Sequence, residues 1–277
     1  MSTLRAEGPP LDFAPILAAR SAGKVSIAGV PIDAVEFDAV VASIVDRARH
    51  QVPGAYVVTP NAHHVTLYQR DPLFRRIYEQ AFLVVADGVP LLWAAQLLGT
   101  PLAGRVNGTD LFQALCGKAA ELGLRVYLLG GREGAADAAA ARLRECFPAL
   151  KICGTYCPPV GFEHDPEQQA IIVERINVAQ PALLFVGLGA PKQEYWMYAN
   201  REKMRVPVSL GIGVSFELVG GVVRRAPRWM QTVGLEWLFR LLAEPKRLWR
   251  RYLVGNMIFC VLVTRQLLLD RSRIARF

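Results

Sequence analysis

Apolar runs alternate with helical patterns along the chain from Val25 onward. The apolar runs are short and contain few polar residues, which is typical of strands buried on both faces of a sheet. The predicted strands are a pair over Val25–Ile32, then Ala55–Thr59, Leu83–Ala86, Val126–Leu129, Ile152–Thr155, Leu183–Gly187 and Val208–Leu210. The predicted helices are Ala34–His50 with Asp33 as its N-cap, Ala62–Gln80, Val89–Leu98, Asp110–Leu122, Glu133–Cys146, Gln168–Val178 and Lys192–Asn200. This alternation predicts an α/β fold with a mostly parallel sheet and helices on both faces.

Positive charge and tryptophan concentrate at the C-terminal end. Residues 222–277 hold 12 of the 32 basic residues but 3 of the 24 acidic ones, with Trp229, Trp237 and Trp249 among them. Within Leu235–Leu253, leucines recur at helical spacing and basic residues crowd the polar side, which is typical of amphipathic helices lying on an anionic membrane surface. A basic helical pair packed on the body is an alternative. Nucleic acid is disfavoured because no helix-turn-helix, zinc or RNA-binding signature accompanies the charge.

No segment is predicted to span a membrane. The longest apolar run, near Tyr252–Val263, is interrupted by Gly255 and Asn256 and is shorter than the roughly twenty residues that a spanning helix needs. Residues 1–20 lack the order of a secretory signal. We therefore expect a flexible leader over residues 1–23, an α/β domain that carries the site over 24–221, and a basic helical membrane-associating appendage over 222–277.

Composition narrows the class of protein. Hydrophobic residues make up 52% of the chain, which excludes a disordered chain. The five cysteines are scattered, and none forms a CxxC pair, which predicts reduced, buried thiols in a cytosolic protein. No His, Cys or Asp cluster has the spacing of a metal site, so neither a metal nor a cofactor is expected.

Polar and glycine-rich turns follow the predicted strands. They are Thr59-Pro60-Asn61, Asp87-Gly88, Gly130-Gly131, Gly187–Glu194 and Gly211–Gly213. The carboxyl ends of parallel strands meet at one edge of a sheet, and free N–H groups at the following helix N-termini favour phosphate. Each turn alone is more typical of a plain connection, but five along one edge predict a nucleotide-type crevice. None is a GxGxxG or Walker A sequence, which disfavours ordinary dinucleotide or P-loop binding.

Asp87 is the strongest single candidate for catalysis. It follows an apolar strand and precedes a glycine, so its carboxylate is expected to face the crevice in a semi-apolar setting suited to a general base. The alternative is an N-cap for the next helix. For Thr59 and Asn61 the sequence leaves two roles, contact with a ligand or closure of a loop by an Asx or ST turn. Of the adjacent His63 and His64, only one can face inward, and such a histidine is more often a core residue than a ligand.

Longer motifs carry a resemblance to a known family. The matching stretches are Thr59-Pro60-Asn61 followed by His64, Ala86–Pro90, Arg105–Leu111, Phe185–Glu194, Arg225–Gln231, Gly234–Leu241 and Glu244–Arg247. In these motifs and their order, the chain resembles the WecG/TagA/CpsF glycosyltransferases of bacterial cell-surface polysaccharide synthesis. The resemblance covers about residues 25–253 and leaves the residues after about 254 unassigned.

The resemblance implies inverting, metal-independent transfer of a sugar from a UDP-sugar to an undecaprenyl-diphosphate-linked saccharide. It also implies a Rossmann-like domain, peripheral association with the cytoplasmic face of the inner membrane, and an appendage that helps complete the active site. Asp87 falls on the proposed general base. The implied substrate-binding residues are Thr59, Asn61, Arg105 and Gln193, with Arg240, Arg247 and Arg250 closing over the diphosphate. Further candidates for substrate contact are Asn107, Gly130, Gly131, Gly189 and Lys192.

The residues support this reaction independently. Displacement of UDP leaves negative charge on the diphosphate, and this sequence has no DxD motif to hold a neutralising metal. Guanidinium groups bind diphosphate oxygens bidentately, so the arginine-rich appendage is the expected source of positive charge. A soluble nucleotide-sugar-modifying enzyme and a non-catalytic membrane-docking scaffold are the alternatives, and a homo-oligomer is left open. The donated sugar is open too, since N-acetylmannosamine, its uronic acid and glucose are all used in the family. His63 also stands where relatives often carry Glu.

Overall fold

The computed structural model describes residues 23–274, apart from the side chains of Arg247 and residues 271–274. Residues 1–22, on which the predicted leader falls, lie outside the described residues. The strands are β1 (Lys24–Ile27), β2 (Val30–Asp33), β3 (Ala55–Val58), β4 (Leu83–Val84), β5 (Arg125–Gly130), β6 (Lys151–Tyr156), β7 (Leu183–Gly187) and β8 (Val208–Gly211). The helices up to β8 are α1 (Phe37–Arg49), α2 (Ala62–Arg70), α3 (Pro72–Glu79), α4 (Val89–Leu97), α5 (Gly108–Leu122), α6 (Ala135–Cys146), α7 (Pro166–Ala179) and α8 (Lys192–Asn200). After β8 come α9 (Ser215–Val219), α10 (Arg228–Thr232), α11 (Glu236–Ala243), α12 (Pro245–Trp249), a π-helical turn (Arg250–Val254) and α13 (Gly255–Ile274).

Six strands form one parallel sheet in the order β4-β3-β8-β7-β5-β6, and β1 and β2 form a separate antiparallel hairpin. Alternate strand residues point to opposite faces, so Val57 packs with α1, α5, α6 and α9, whereas Val58 packs with α2, α3, α4 and α8. The predicted parallel sheet with helices on both faces is confirmed. Neighbouring strands β3 and β8 continue into α2 and α9 on opposite faces, so their outgoing loops diverge and leave a crevice.

Two predicted helix boundaries are wrong, each for a local reason. Asp33 does not cap a helix; it ends β2, and its Oδ2 accepts a hydrogen bond of 2.8 Å from Val84 N–H, which joins the hairpin to the sheet. The predicted helix over residues 62–80 is broken at Pro72, which cannot donate a backbone hydrogen bond. The Asp71 carboxylate instead accepts from Leu73 N–H and Phe74 N–H and starts α3.

The cysteine prediction is half right. All five thiols are free, but only Cys116 is buried and Cys153 is half-buried, whereas Cys146, Cys157 and Cys260 are exposed. The exposed thiols lie at the end of α6, after β6 and on α13, where the chain passes over the surface.

Helix α13 is longer than the sequence pattern predicts. It continues through Asn256, and the helical stretch Arg250–Asp270 has 21 residues, of which an 18-residue window has a mean hydropathy of 1.6, so by length and composition it could cross a membrane. The prediction that this run is too short is therefore wrong, because Gly255 costs a helix only about 1 kcal/mol and packing can offset that cost. Phe259 and Val263 on this helix are buried against the body.

Candidate active site

A cleft lies over the carboxyl ends of β3, β7 and β8. Loops from the sheet form its floor, and the appendage covers it. The lining side chains include Thr59, Asn61, His63, Asp87, Arg105, Asn107, Gln193, Ser215, Glu236, Trp237, Arg240, Arg251 and Tyr252. Gly189 also lines the cleft. The structure therefore brings Asp87 together with most of the predicted substrate-binding residues, even though they are spread from residue 59 to residue 240.

Asp87 is held at the cleft by two neighbours. Asn107 Nδ2 donates to Asp87 Oδ1 at 2.8 Å, and Arg105 Nε donates to the main-chain oxygen of Asp87 at 2.7 Å. Helix α4 begins after Gly88 without any side-chain cap, so the N-cap interpretation of Asp87 is wrong. The side chain of Asp87 stays 27% exposed, which leaves the carboxylate accessible from the cleft.

The surroundings of Asp87 make it a stronger base than an ordinary aspartate. Burial raises its pKa above the usual value, the Glu236 carboxylate adds to this increase, and the Arg105 guanidinium opposes it. A carboxylate with a raised pKa accepts a proton more readily once it is ionised. The geometry and the pKa thus agree with the role predicted for this residue.

In two of the ion pairs that join the appendage to the body the appendage supplies the acid, and in a third Arg225 of the appendage pairs with Asp110 at 2.7 Å. Arg105 Nη2 lies 2.7 Å from Glu236 Oε2, and Arg132 Nη2 lies 3.0 Å from Glu244 Oε1. Two of the three acidic residues in the basic C-terminal segment therefore bind arginines of the α/β domain. Arg105 is at once a neighbour of Asp87 and a docking point for the appendage.

Asn107 has a fixed orientation. Its Oδ1 caps α5 by accepting from Thr109 N–H at 3.0 Å and Asp110 N–H at 3.2 Å, and it also faces Arg225 Nη2 at 3.3 Å. Because donors occupy the oxygen, the amide nitrogen must point to Asp87. The residue that caps α5 therefore also orients the carboxylate.

Thr59 and Asn61 close their loop and line the cleft at the same time. Thr59 Oγ1 donates to the main-chain oxygen of Gly211 at 3.2 Å, which joins the ends of β3 and β8. Asn61 Oδ1 accepts from His63 N–H at 3.1 Å and caps α2. For both residues, closure of the loop is thus compatible with contact to a ligand, the two interpretations that the sequence left open.

A buried pair, His64 and Glu194, supports one wall of the cleft, with His64 among the lining residues. His64 Nδ1 accepts from Asn61 N–H at 3.1 Å, and its Nε2 lies 3.5 Å from Glu194 Oε1. The same glutamate oxygen accepts from Gln193 Nε2 at 2.8 Å, and Gln193 Oε1 accepts from Gly213 N–H at 3.0 Å. The amide of Gln193 is therefore fixed from both ends, and His64 is the core histidine that the helical pattern predicted.

His63 faces the cleft, although the sequence marked it only as a departure from the relatives and not as a substrate contact. Burial, with Arg251 and His64, lowers its pKa to about 4, so the ring is neutral at neutral pH. A neutral imidazole can donate and accept a hydrogen bond, which suits contact with sugar hydroxyls. Within residues 23–274, no group of three or more His, Cys, Asp or Glu side chains could hold a metal ion.

Several predicted substrate residues do not line the cleft. At Gly130, with φ +100°, a Cβ atom would lie 2.9 Å from the Gly187 carbonyl carbon, so this glycine permits close strand packing. Gly131 donates its N–H to the Gly187 oxygen at 2.8 Å. Lys192 Nζ pairs with Oε1 of the half-buried Glu163 at 2.5 Å. The exposed Arg250 guanidinium lies over the Trp249 ring. The predicted role of Arg247 falls on a side chain outside the described residues.

The cleft also contains residues that sequence reasoning missed. They are Ser215, Glu236, Trp237, Arg251 and Tyr252. Glu236 and Trp237 lie in the stretch Gly234–Leu241 that carries the resemblance, so a signal was present. A count of basic residues assigns no role to an acidic side chain, so the charge pattern alone does not indicate Glu236.

Comparisons with known proteins show the family of this chain. The model of the Glycosyl transferase WecG/TagA/CpsF family matches residues 25–273, so the expectation that the resemblance ends near residue 254 is wrong. A protein of Bacillus spizizenii is 32% identical over 73% of this chain and 76% of its own length, and one of Staphylococcus aureus is 31% identical over 82% and 87%. Both are named N-acetylglucosaminyldiphosphoundecaprenol N-acetyl-beta-D-mannosaminyltransferase. Since the match includes both the sheet-edge loops and the appendage that covers them, the chain belongs to the WecG/TagA/CpsF family of glycosyltransferases.

Proposed function

We propose that this glycosyltransferase moves an N-acetylhexosamine from a UDP-sugar to a saccharide linked to undecaprenyl diphosphate, with inversion and without a metal. The observation that carries the proposal is one cleft that holds both a basic carboxylate, Asp87, and the appendage arginines Arg240 and Arg251. The names of the relatives make N-acetylmannosamine the first candidate for the donated sugar and N-acetylglucosaminyl diphosphoundecaprenol the first candidate acceptor.

The reaction follows from these positions as a single displacement. The acceptor hydroxyl attacks the anomeric carbon as Asp87 removes its proton, and the bond between that carbon and the UDP oxygen breaks. Attack from the face opposite the leaving group inverts the anomeric centre. Negative charge then develops on the diphosphate, where Arg240 and Arg251 can bind it through paired N–H groups.

The proposed function is tested by acceptor-dependent UDP release. Full-length protein in anionic vesicles receives a panel of UDP-sugars and N-acetylglucosaminyl polyprenyl diphosphate, and each donor is assayed both with and without EDTA. We expect release with an N-acetylhexosamine donor at the same rate with and without EDTA. Release that EDTA abolishes would contradict the metal-free mechanism, and no release from any donor would contradict the transferase assignment of this cleft.

We infer further that residues 222–277 form an appendage that lies on the cytoplasmic membrane surface and does not cross the membrane. Phe259 and Val263 of α13 are buried in the body, and Gln266 bonds to the hairpin through Ala28 N–H at 2.6 Å. If α13 crossed the membrane, the part of the body packed against it would have to enter the hydrocarbon, where its exposed polar groups could not bond to water. The exposed apolar residues of α13, such as Val261, can still enter the interface.

Val261→Glu is expected to weaken binding to anionic vesicles by about tenfold, because the apolar contact of one valine contributes about 1.5 kcal/mol. The measurement is co-sedimentation of full-length protein with vesicles. Val160→Glu is the matched control, since Val160 is also exposed but lies on the body. Resistance of the wild-type protein to extraction by alkaline carbonate would contradict a surface location.

A further inference from the structure

We propose that Glu236 of the appendage is a positioning residue that holds the Arg105 guanidinium partly away from the Asp87 carboxylate. Docking of the appendage therefore determines how strongly Asp87 pairs with Arg105. The proposal rests on the proposed function, in which Asp87 accepts the proton of the acceptor hydroxyl. It assigns a role to an acidic residue in a segment whose basic residues are expected to bind the diphosphate and the membrane surface.

The geometry shows one guanidinium shared unequally between two carboxylates. Arg105 Nη2 lies 2.7 Å from Glu236 Oε2 but 3.8 Å from Asp87 Oδ1. The same side chain is anchored through Nε to the main-chain oxygen of Asp87 at 2.7 Å. Arg105 therefore stays beside Asp87, while its terminal nitrogen is bonded to the appendage.

Two features stabilise the ion pair between Glu236 and Arg105 Nη2. Glu236 is the first residue of α11, where the helix dipole favours a carboxylate. The side chains of Arg105 and Glu236 are only 20% and 17% exposed, so their attraction is less screened than that of a surface pair. Without Glu236, the nearest carboxylate for Arg105 Nη2 among the contacts described at this site is Asp87.

The other groups that face Asp87 do not duplicate this role. Asn107 Nδ2 and Gly108 N–H donate to it and carry no charge. Arg225 contributes positive charge from the loop after α9, but its Nη1 is bonded to Asp110 Oδ1 at 2.7 Å. Glu236 is thus the group whose removal frees a neighbouring cation for Asp87.

The direction of the effect can be worked out. Glu236→Gln removes a negative charge that raises the pKa of Asp87 and releases Arg105 to pair with the carboxylate, which lowers the pKa. The base is active when deprotonated, so the acid limb of the profile of kcat/KM against pH moves to lower pH. The plateau kcat falls about tenfold, since a weaker and displaced base removes the proton less effectively.

The experiment compares full-length wild type, Glu236→Gln and Glu244→Gln in anionic vesicles, with UDP release followed across pH. Glu244→Gln is the matched control because it also removes an appendage ion pair, with Arg132, but outside the cleft. We expect the acid limb to move only in Glu236→Gln, and Glu236→Asp to return it toward the wild-type position. An acid limb that does not move in Glu236→Gln, or that moves equally in Glu244→Gln, would overturn the proposal.

A second readout separates this proposal from the proposed function. The carboxyl carbon of Asp87 is titrated by NMR in the full chain without substrate, with Asp87→Asn identifying the resonance. A lower midpoint in Glu236→Gln supports the sharing of Arg105 even if Asp87→Asn retains turnover, a result that would contradict only the role of Asp87 as base. An unchanged midpoint overturns the role of Glu236 whatever the activity.

Discussion

Asp87→Asn is expected to lower kcat by about a hundredfold to ten-thousandfold, the contribution typical of a positioned general base. The amide has the shape of the carboxylate, and its oxygen can still accept from Asn107 Nδ2, so the loop is expected to keep its structure. What is lost is the ability to take a proton from the acceptor hydroxyl. The measurement is acceptor-dependent UDP release in vesicles, with UDP affinity followed by calorimetry to show that the donor site is intact.

Asp137→Asn provides the control for this substitution. Asp137 is an exposed aspartate at the start of α6, bonded to Thr155 on the edge strand β6, and it does not line the cleft. We expect wild-type turnover from it. If Asp87→Asn kept wild-type kcat while binding UDP normally, Asp87 would not be the base, and another group in the cleft would have to remove the proton.

Arg240→Ala is expected to lower kcat by about a hundredfold to a thousandfold, as the loss of one preorganised contact to developing charge commonly does. Arg240 lies four residues after Glu236 on α11, so both side chains lie on the same face of that helix, and both line the cleft. One turn of the appendage thus carries the carboxylate that pairs with Arg105 and the guanidinium that we propose for the diphosphate. The effect is measured as kcat at saturating donor and acceptor.

Two further variants make this test specific. Arg240→Lys keeps the charge but loses the paired N–H geometry, so its kcat should fall between those of the wild type and Arg240→Ala. Arg142→Ala removes an exposed arginine on α6 and should have no effect. Equal turnover in Arg240→Ala and the wild type would remove Arg240 from the proposed diphosphate site. The roles that the resemblance gives to Arg247 and Arg250 stay predictions.

Most of the fold could be predicted from the sequence because the patterns that specify its strands and helices are local. Short apolar runs such as Leu183–Gly187 specify buried strands by themselves, and their alternation with helices allows few arrangements other than a parallel sheet. The same topology places the residues after the strands at one edge, which is why Thr59 and Asp87 could be predicted to share a crevice. Errors arose where a side chain bonds far along the chain, as Asp33 does with Val84.

Composition predicts the charge of the appendage but not its contacts. A count of charges correctly indicates a basic C-terminal end, and helical spacing correctly indicates helices there. Counting cannot show which charges are already paired. Nor can it show that α13 would continue through Gly255, because the stabilising contacts of that helix come from the body.

By itself, the sequence determined the α/β class, the sheet edge that carries the site, the family and the candidate base Asp87. Only the tertiary structure decided that Glu236 and Glu244 of the appendage pair with arginines of the α/β domain and that Arg105 is shared between Glu236 and Asp87. Arg105 and Glu236 are 131 positions apart, and no periodicity or turn rule relates residues at such a separation. Their pairing exists because the packed body and the docked appendage bring two partly buried, oppositely charged groups within hydrogen-bonding distance, which is a property of the folded surface.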